Sequence, residues 1–368
     1  MSQAADPTDA DSTGRANGDL PDDASDHAFA DDDPDAADDS FDAPVDESLG
    51  PAFAERPPLR PPGEVLAAIS DEAHGLPFAE LPALSAADDA TVGRVIVLWP
   101  QIAAQRRRDL LAALQQHAED DVTLDFDRIH LSALFDDDAA ARILAIHGLW
   151  EHDRHEYGSL LADILRDDPA SIVRAEAATA LGNFVVGMEF GLLPDDLSER
   201  IAEALRNRVE DVTEDDEVRG AALEAVGASS DEWVGELIAD QYETGNTRLR
   251  LASVLAMGRH GSDDWLPVLI QTFEDEDDDV RAGAATAAGH LLLEVAVEPL
   301  ALLVDDEQES EVQVAAIRAI GEIAGARAQE ILTQLLASGD PHIVEATQLA
   351  LEESRMMEVD FQAETRRQ

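Results

Sequence analysis

From about residue 136 the chain repeats one arrangement of apolar and polar positions. With the register set on Arg142, Arg174, Arg219, Arg250, Arg281, Gln313 and Glu345, the separations are 32, 45, 31, 31, 32 and 32 residues. One position earlier stand Ala141, Val173, Val218, Leu249, Val280, Val312 and Val344; three later stand Ala145, Ala177, Ala222, Ser253, Ala284 and Ala316. Six later come Gly148, Ala180, Ala225, Ala256, Ala287 and Ala319, each followed by Leu149, Leu181, Val226, Met257, Ala288 or Ile320. Counted from the apolar residue these are positions i, i+4, i+7 and i+8, one face of an α-helix. Glycine at the eighth position after the register residue (Gly182, Gly227, Gly258, Gly289, Gly321) marks either a close helix contact or the helix end.

Each such helix is followed by a second amphipathic stretch, predicting helices at 157–166, 196–209, 231–242, 263–273, 295–304 and 326–337. A helix pair of this size cannot close its own core, whereas stacked pairs bury a continuous one. The 45-residue interval is read as a first helix lengthened through Phe184–Phe190, then a loop around Pro194. Upstream, Ser85 is read as the cap of a helix ending at Trp99, where Pro100 follows. Helices are also expected at about 64–73, 103–118 and 126–135. Residues 63–135 are taken as the N-terminal cap of the array, 136–357 as the repeat solenoid and 358–368 as a C-terminal tail. Residues 1–62, rich in Asp, Ala, Pro and Ser, have almost no periodic apolar positions and are expected to be a disordered acidic tail.

The phrase Asp-x-x-Val-Arg-x-x-Ala-x-x-Ala-Leu/Ile-Gly followed by a second helix, seen in variant form at 277–289, resembles the HEAT repeat in the short form called PBS-lyase HEAT-like. The resemblance covers roughly residues 136–352 and extends loosely back to 81. It implies an all-α fold, a right-handed α-solenoid of about six to seven HEAT-like helix pairs whose second helices line the concave face. It also implies a non-catalytic scaffold or adaptor for protein partners, with a cofactor lyase or maturation factor as the alternative. The motif is the packing unit itself, so it is specific for fold and uninformative about activity.

Composition sharpens this picture in two ways. Aromatic residues are 4% of the chain and apolar residues 45%, so the core must be largely Ala, Leu, Val and Ile. The formal charge is −55, from 80 acidic and 25 basic residues, and every one of the 25 is Arg. Residues 1–50 carry −15 of that charge, leaving −40 on the rest. Such self-repulsion destabilises a compact state in dilute buffer, but at molar salt the Debye length falls to about 3 Å. The expected setting is the cytoplasm of a salt-accumulating halophile. The absence of cysteine excludes disulfides, thiolate metal sites and Cys nucleophiles. The N-terminus has no signal-peptide pattern, and the longest apolar runs are too short to span a bilayer.

Five groups are candidates for chemistry. Asp167-Asp168, Asp215-Asp216 and Asp277–Asp279 are placed at helix N-termini as caps. The arginine column is read as a ladder to the neighbouring repeat rather than an anion grip, because it recurs at the packing period. Among HEAT-like enzymes, deoxyhypusine hydroxylase builds a di-iron site from several His-Glu pairs; here His155-Glu156, near His152, is the single pair, so no metal or cofactor is expected. No bilin-pocket feature of the phycobilin lyases is present, and no catalytic residue is assigned. HEAT-like DNA glycosylases cradle DNA on cations, yet the only cluster here is Arg106-Arg107-Arg108, read as a salt-bridge island or a docking spot for an acidic partner, with no nucleic acid expected. Trp233 and Trp265, 32 apart, are either exposed anchors for a partner or inter-repeat packing; Trp99 and Trp150 read as core.

Overall fold

The computed structural model describes residues 60–149 and 154–365, and every regular element among them is helical. Residues 1–59 of the expected tail, together with Trp150 and His152, lie outside the described residues.

Among the described residues four α-helices precede the repeats: α1 (Pro62–Ser70), α2 (Asp89–Leu98), α3 (Ala104–Asp120) and α4 (Asp127–Ala133). Six pairs follow. They are α5 (Ala139–His147) with α6 (His155–Asp167), α7 (Ser171–Glu189) with α8 (Asp195–Glu210), and α9 (Asp216–Val226) with α10 (Glu232–Thr244). Next come α11 (Thr247–His260) with α12 (Leu266–Thr272), α13 (Asp278–His290) with α14 (Val297–Asp306), and α15 (Ser310–Ile323) with α16 (Gly325–Leu335). A seventh first-type helix among the described residues, α17 (Pro341–Thr365), packs on α15 and continues as helix past residue 357, where a tail was expected to begin.

Two local expectations are corrected. The cap of α2 is Asp88, which accepts from the Thr91 amide at 2.8 Å. Ser85 instead ends a 3-10 helix, Phe78–Leu84, and its hydroxyl accepts from the Asp125 amide. Leu81 and Leu84 are buried there, which holds Ser85 out of the following helix. Asp168 likewise is not the cap of α7. Pro169 and Ala170 intervene, and the carboxylate folds back to the Ala170 amide at 2.9 Å. At Asp215 and Asp277 the capping side chains do accept first-turn amides as expected, and Asp138 and Asn246 cap their helices in the same way.

The first helices stack on one another in order from α5 to α17, and their small-residue stripe is buried except at Gly148, which is half-buried. The contact is tightest at the glycines. A Cβ added at Gly227 or Gly289 would stand 2.8 Å from an atom of Ala256 or Ala319, and one at Gly258 would stand 2.8 Å from the Ala287 Cα. No real Cβ sits that close, so only glycine lets the axes approach to the short end of the usual ~8–10 Å. Gly258, Gly289 and Gly321 lie inside their helices, which makes the close contact their role; Gly227 also ends α9. The second helices from α8 to α14 meet their neighbours far less closely.

Candidate functional site

The arginine column is built into the stack. In three copies the register arginine holds the loop carbonyl six positions before it: Arg142 donates to Asp136 O at 2.7 Å, Arg174 to Asp168 O at 2.6 Å and Arg281 to Asp275 O at 2.9 Å. The same guanidinium reaches the carboxylate at the equivalent loop of the next copy. Arg142 pairs with Asp168, Arg174 with Glu214, Arg250 with Asp275 and Arg281 with Glu307. Arg142, Arg174 and Arg281 therefore each pin one turn and tie it to the next, while Arg250 makes only the tie. Burial pushes the Glu214 carboxyl up, but Arg174, the Asp215 amide and Arg208 outweigh it and hold it below its ordinary value. Arg281 does the same to Glu307, against its burial. Arg219 departs from the pattern, because the next copy carries Thr244 in the acidic slot. It donates instead to Val209 O, Asp216 and the Gln241 side-chain oxygen.

Arg106, Arg107 and Arg108 do not act as one patch. Arg106 caps the end of α1, donating to Ile69 O at 2.5 Å, Ala68 O at 3.2 Å and His74 O at 2.9 Å. Arg107 holds Ile102 O and pairs with Asp136, a carboxylate that also accepts from the Trp99 indole. It is the first rung of the ladder. The residues alone missed this because its copy lacks the small stripe; the signal available was Asp136, six positions before Arg142. Arg108 pairs with Asp138 at 2.7 Å.

Trp233 and Trp265 are both half-buried, and each faces its own partners. The Arg206 guanidinium lies 4.9 Å over the Trp233 ring, and the indole donates to Asp231. Trp265 donates to His260 Nδ1 at 3.2 Å and lies beside Gly235 of α10. Trp99 is buried as expected. His155 and Glu156 open α6 and are exposed. Among the described residues no group of three or more His, Asp or Glu is arranged to hold a metal ion, and no helix is long and apolar enough to cross a membrane.

Two clefts open beside the second helices. One of about 610 Å³ lies between α8 and α10, lined by Arg206, Glu210, Val212, Trp233, Glu236 and Asp240 among others. The other, also about 610 Å³, lies between the turn after α4 and helix α6, with Leu134, Phe135, Asp137, Leu160, Asp163 and Ile164 on its walls. Phe135 and Val212 are apolar where other copies carry Asp167, Glu243, Glu274, Asp306 and Ser338. That exception was legible in the alignment of the copies.

Two family models match this chain: HEAT repeats over residues 235–313 and the PBS lyase HEAT-like repeat over residues 312–338. No curated protein sequence matches it. Among solved structures, similarity extends to the Escherichia coli protein YibA, at 16% identity over 76% of this chain and 95% of that one, with a TM-score of 0.43. An engineered protein matches at 21% identity over 55% of this chain and 97% of that one, with a TM-score of 0.35. Human deoxyhypusine hydroxylase in complex with glycerol matches at 16% identity over 69% of this chain and 98% of that one, with a TM-score of 0.28.

Proposed function

We propose that this HEAT-repeat protein is a non-catalytic scaffold that holds a protein partner along the second-helix side of its array, in the salt-rich cytoplasm of a halophile. One observation carries the reading. The register arginines and small residues of the first helices are consumed by packing, while the second helices from α8 to α14 meet one another loosely, and clefts with mixed apolar and acidic walls open beside α6 and between α8 and α10. A row of paired arginines offers no grip for phosphates, which argues against nucleic acid as the ligand. An extended surface of this kind suits another polypeptide. Its acidic edges select a partner bearing basic or hydrogen-bonding groups, and contact pairs survive molar salt better than long-range attraction does.

The test is cross-linking and affinity purification in molar KCl, followed by mass spectrometry. A stoichiometric protein partner is expected, with purified material colourless and free of metal. Protein that carries a chromophore or metal and recovers no partner would overturn the scaffold reading in favour of a cofactor lyase or maturation factor.

A further inference from the structure

The two clefts occupy equivalent places in the repeat. Phe135 stands seven positions before Arg142 and Val212 seven before Arg219, and both are exposed, at 75% and 80%. The floor of the first cleft is Leu134, Leu160 and Ile164; that of the second is Trp233, Leu237 and Leu249. Each floor has an acidic rim, with Asp137, Asp163 and Asp167 at the first and Glu210, Glu236 and Asp240 at the second. Some of that charge is already matched. Asp163 and Asp167 share Arg166, Asp163 also takes Arg200, and Glu210 takes Arg206. Asp137 and Glu236 carry no ion pair among the described residues, so each cleft keeps an open carboxylate beside an apolar floor. The second cleft also displays the chemistry it accepts, since the Arg206 cation rests on the Trp233 face beside Glu210.

We propose that the two clefts together bind one extended basic segment of a protein partner. Each cleft seats an apolar side chain of the segment, against Phe135 and against Val212, and arginines or lysines between them meet Asp137 and Glu236. This rests on the scaffold reading and gives its partner a chemistry. The clefts lie two copies apart, which at ~8–10 Å per helix layer is roughly 20 Å. An extended chain covers about 3.3 Å per residue, so the two anchors are about six residues apart. A charge cluster alone would not impose that spacing; a pair of apolar floors does.

The full chain in molar KCl is titrated against a fluorescein-labelled peptide with two leucines about six residues apart and arginines between them, read by anisotropy. Two controls replace the leucines by serine or the arginines by glutamate. The leucine–arginine peptide is expected to bind about tenfold more tightly than either control, and Phe135→Ser and Val212→Ser each to weaken it about tenfold. Both residues are exposed, so helicity by circular dichroism should be unchanged in these variants. Asp137→Asn and Glu236→Gln should weaken binding by a smaller factor. Equal binding of the serine peptide, or unchanged binding by the folded Phe135 and Val212 variants, overturns the proposal. If the double variant Phe135→Ser/Val212→Ser still recovers the wild-type partner from lysate, this site falls and the scaffold reading stands. If the wild-type chain recovers no partner, the scaffold reading itself falls.

Discussion

Arg142 and Asp168 are joined by two parallel hydrogen bonds, Nε to Oδ2 and Nη2 to Oδ1, each 2.8 Å long, with side chains only 9% and 7% exposed. The remaining terminal nitrogen of Arg142 holds Asp136 O, so one guanidinium fastens its own loop and the next. Removing one member of such a buried pair leaves the other charge without its counterpart, at a cost of about 3–5 kcal/mol. Arg142→Ala and Asp168→Asn should each lower the urea midpoint in molar KCl. The double variant should cost less than the two together, with a coupling of about 0.5–3 kcal/mol. Strict additivity would show that the two side chains do not depend on each other.

Two glycine substitutions should have opposite signs. Gly258→Ala drives a methyl to 2.8 Å from the Ala287 backbone, which must move. Overpacking of this kind costs about 1–3 kcal/mol. Gly93→Ala, inside α2 with nothing within 4 Å, should stabilise by about 0.5–1 kcal/mol through helix entropy alone. Thermal melting of both variants in molar KCl reads the two signs directly.

Glu214 and Glu307 are held below the ordinary glutamate value of about 4.3. A carboxyl depressed in the folded state contributes its full stability above the unfolded value and loses it as pH falls through the folded one. Stability in molar KCl should therefore begin to drop below about pH 5 and keep dropping under 4.3. Glu214→Gln should melt lower at pH 7 and show a shallower acid decline. An unchanged decline in that variant would remove Glu214 from the cause.

The net charge of −55 predicts a salt-dependent fold. Helicity at 222 nm should rise steeply as KCl is raised toward molar concentrations, where the Debye length shrinks to about 3 Å. A chain already fully helical in dilute buffer would refute the halophilic setting.

The residues by themselves determined the repeat, its buried face, the long first helix at 171–189 and most rungs of the ladder. These features are legible because a solenoid is nearly one-dimensional. Each copy meets only its neighbours, so a spacing of 31 or 32 residues states both what packs and where. The glycines were readable as far as two alternatives, and the distance from Gly258 to Ala287 chose close contact over helix end. Only the tertiary structure decided that Arg107 is the first rung, that Asp168 serves Arg142 rather than capping α7, and that Trp233 and Trp265 have separate partners. It alone placed Phe135 and Val212 over open clefts. Those relationships join side chains from irregular intervals and from helices that are not consecutive in the chain. Their geometry depends on how far apart packed helices stand, a distance set by the summed volumes of residues in both and written at no single position of either.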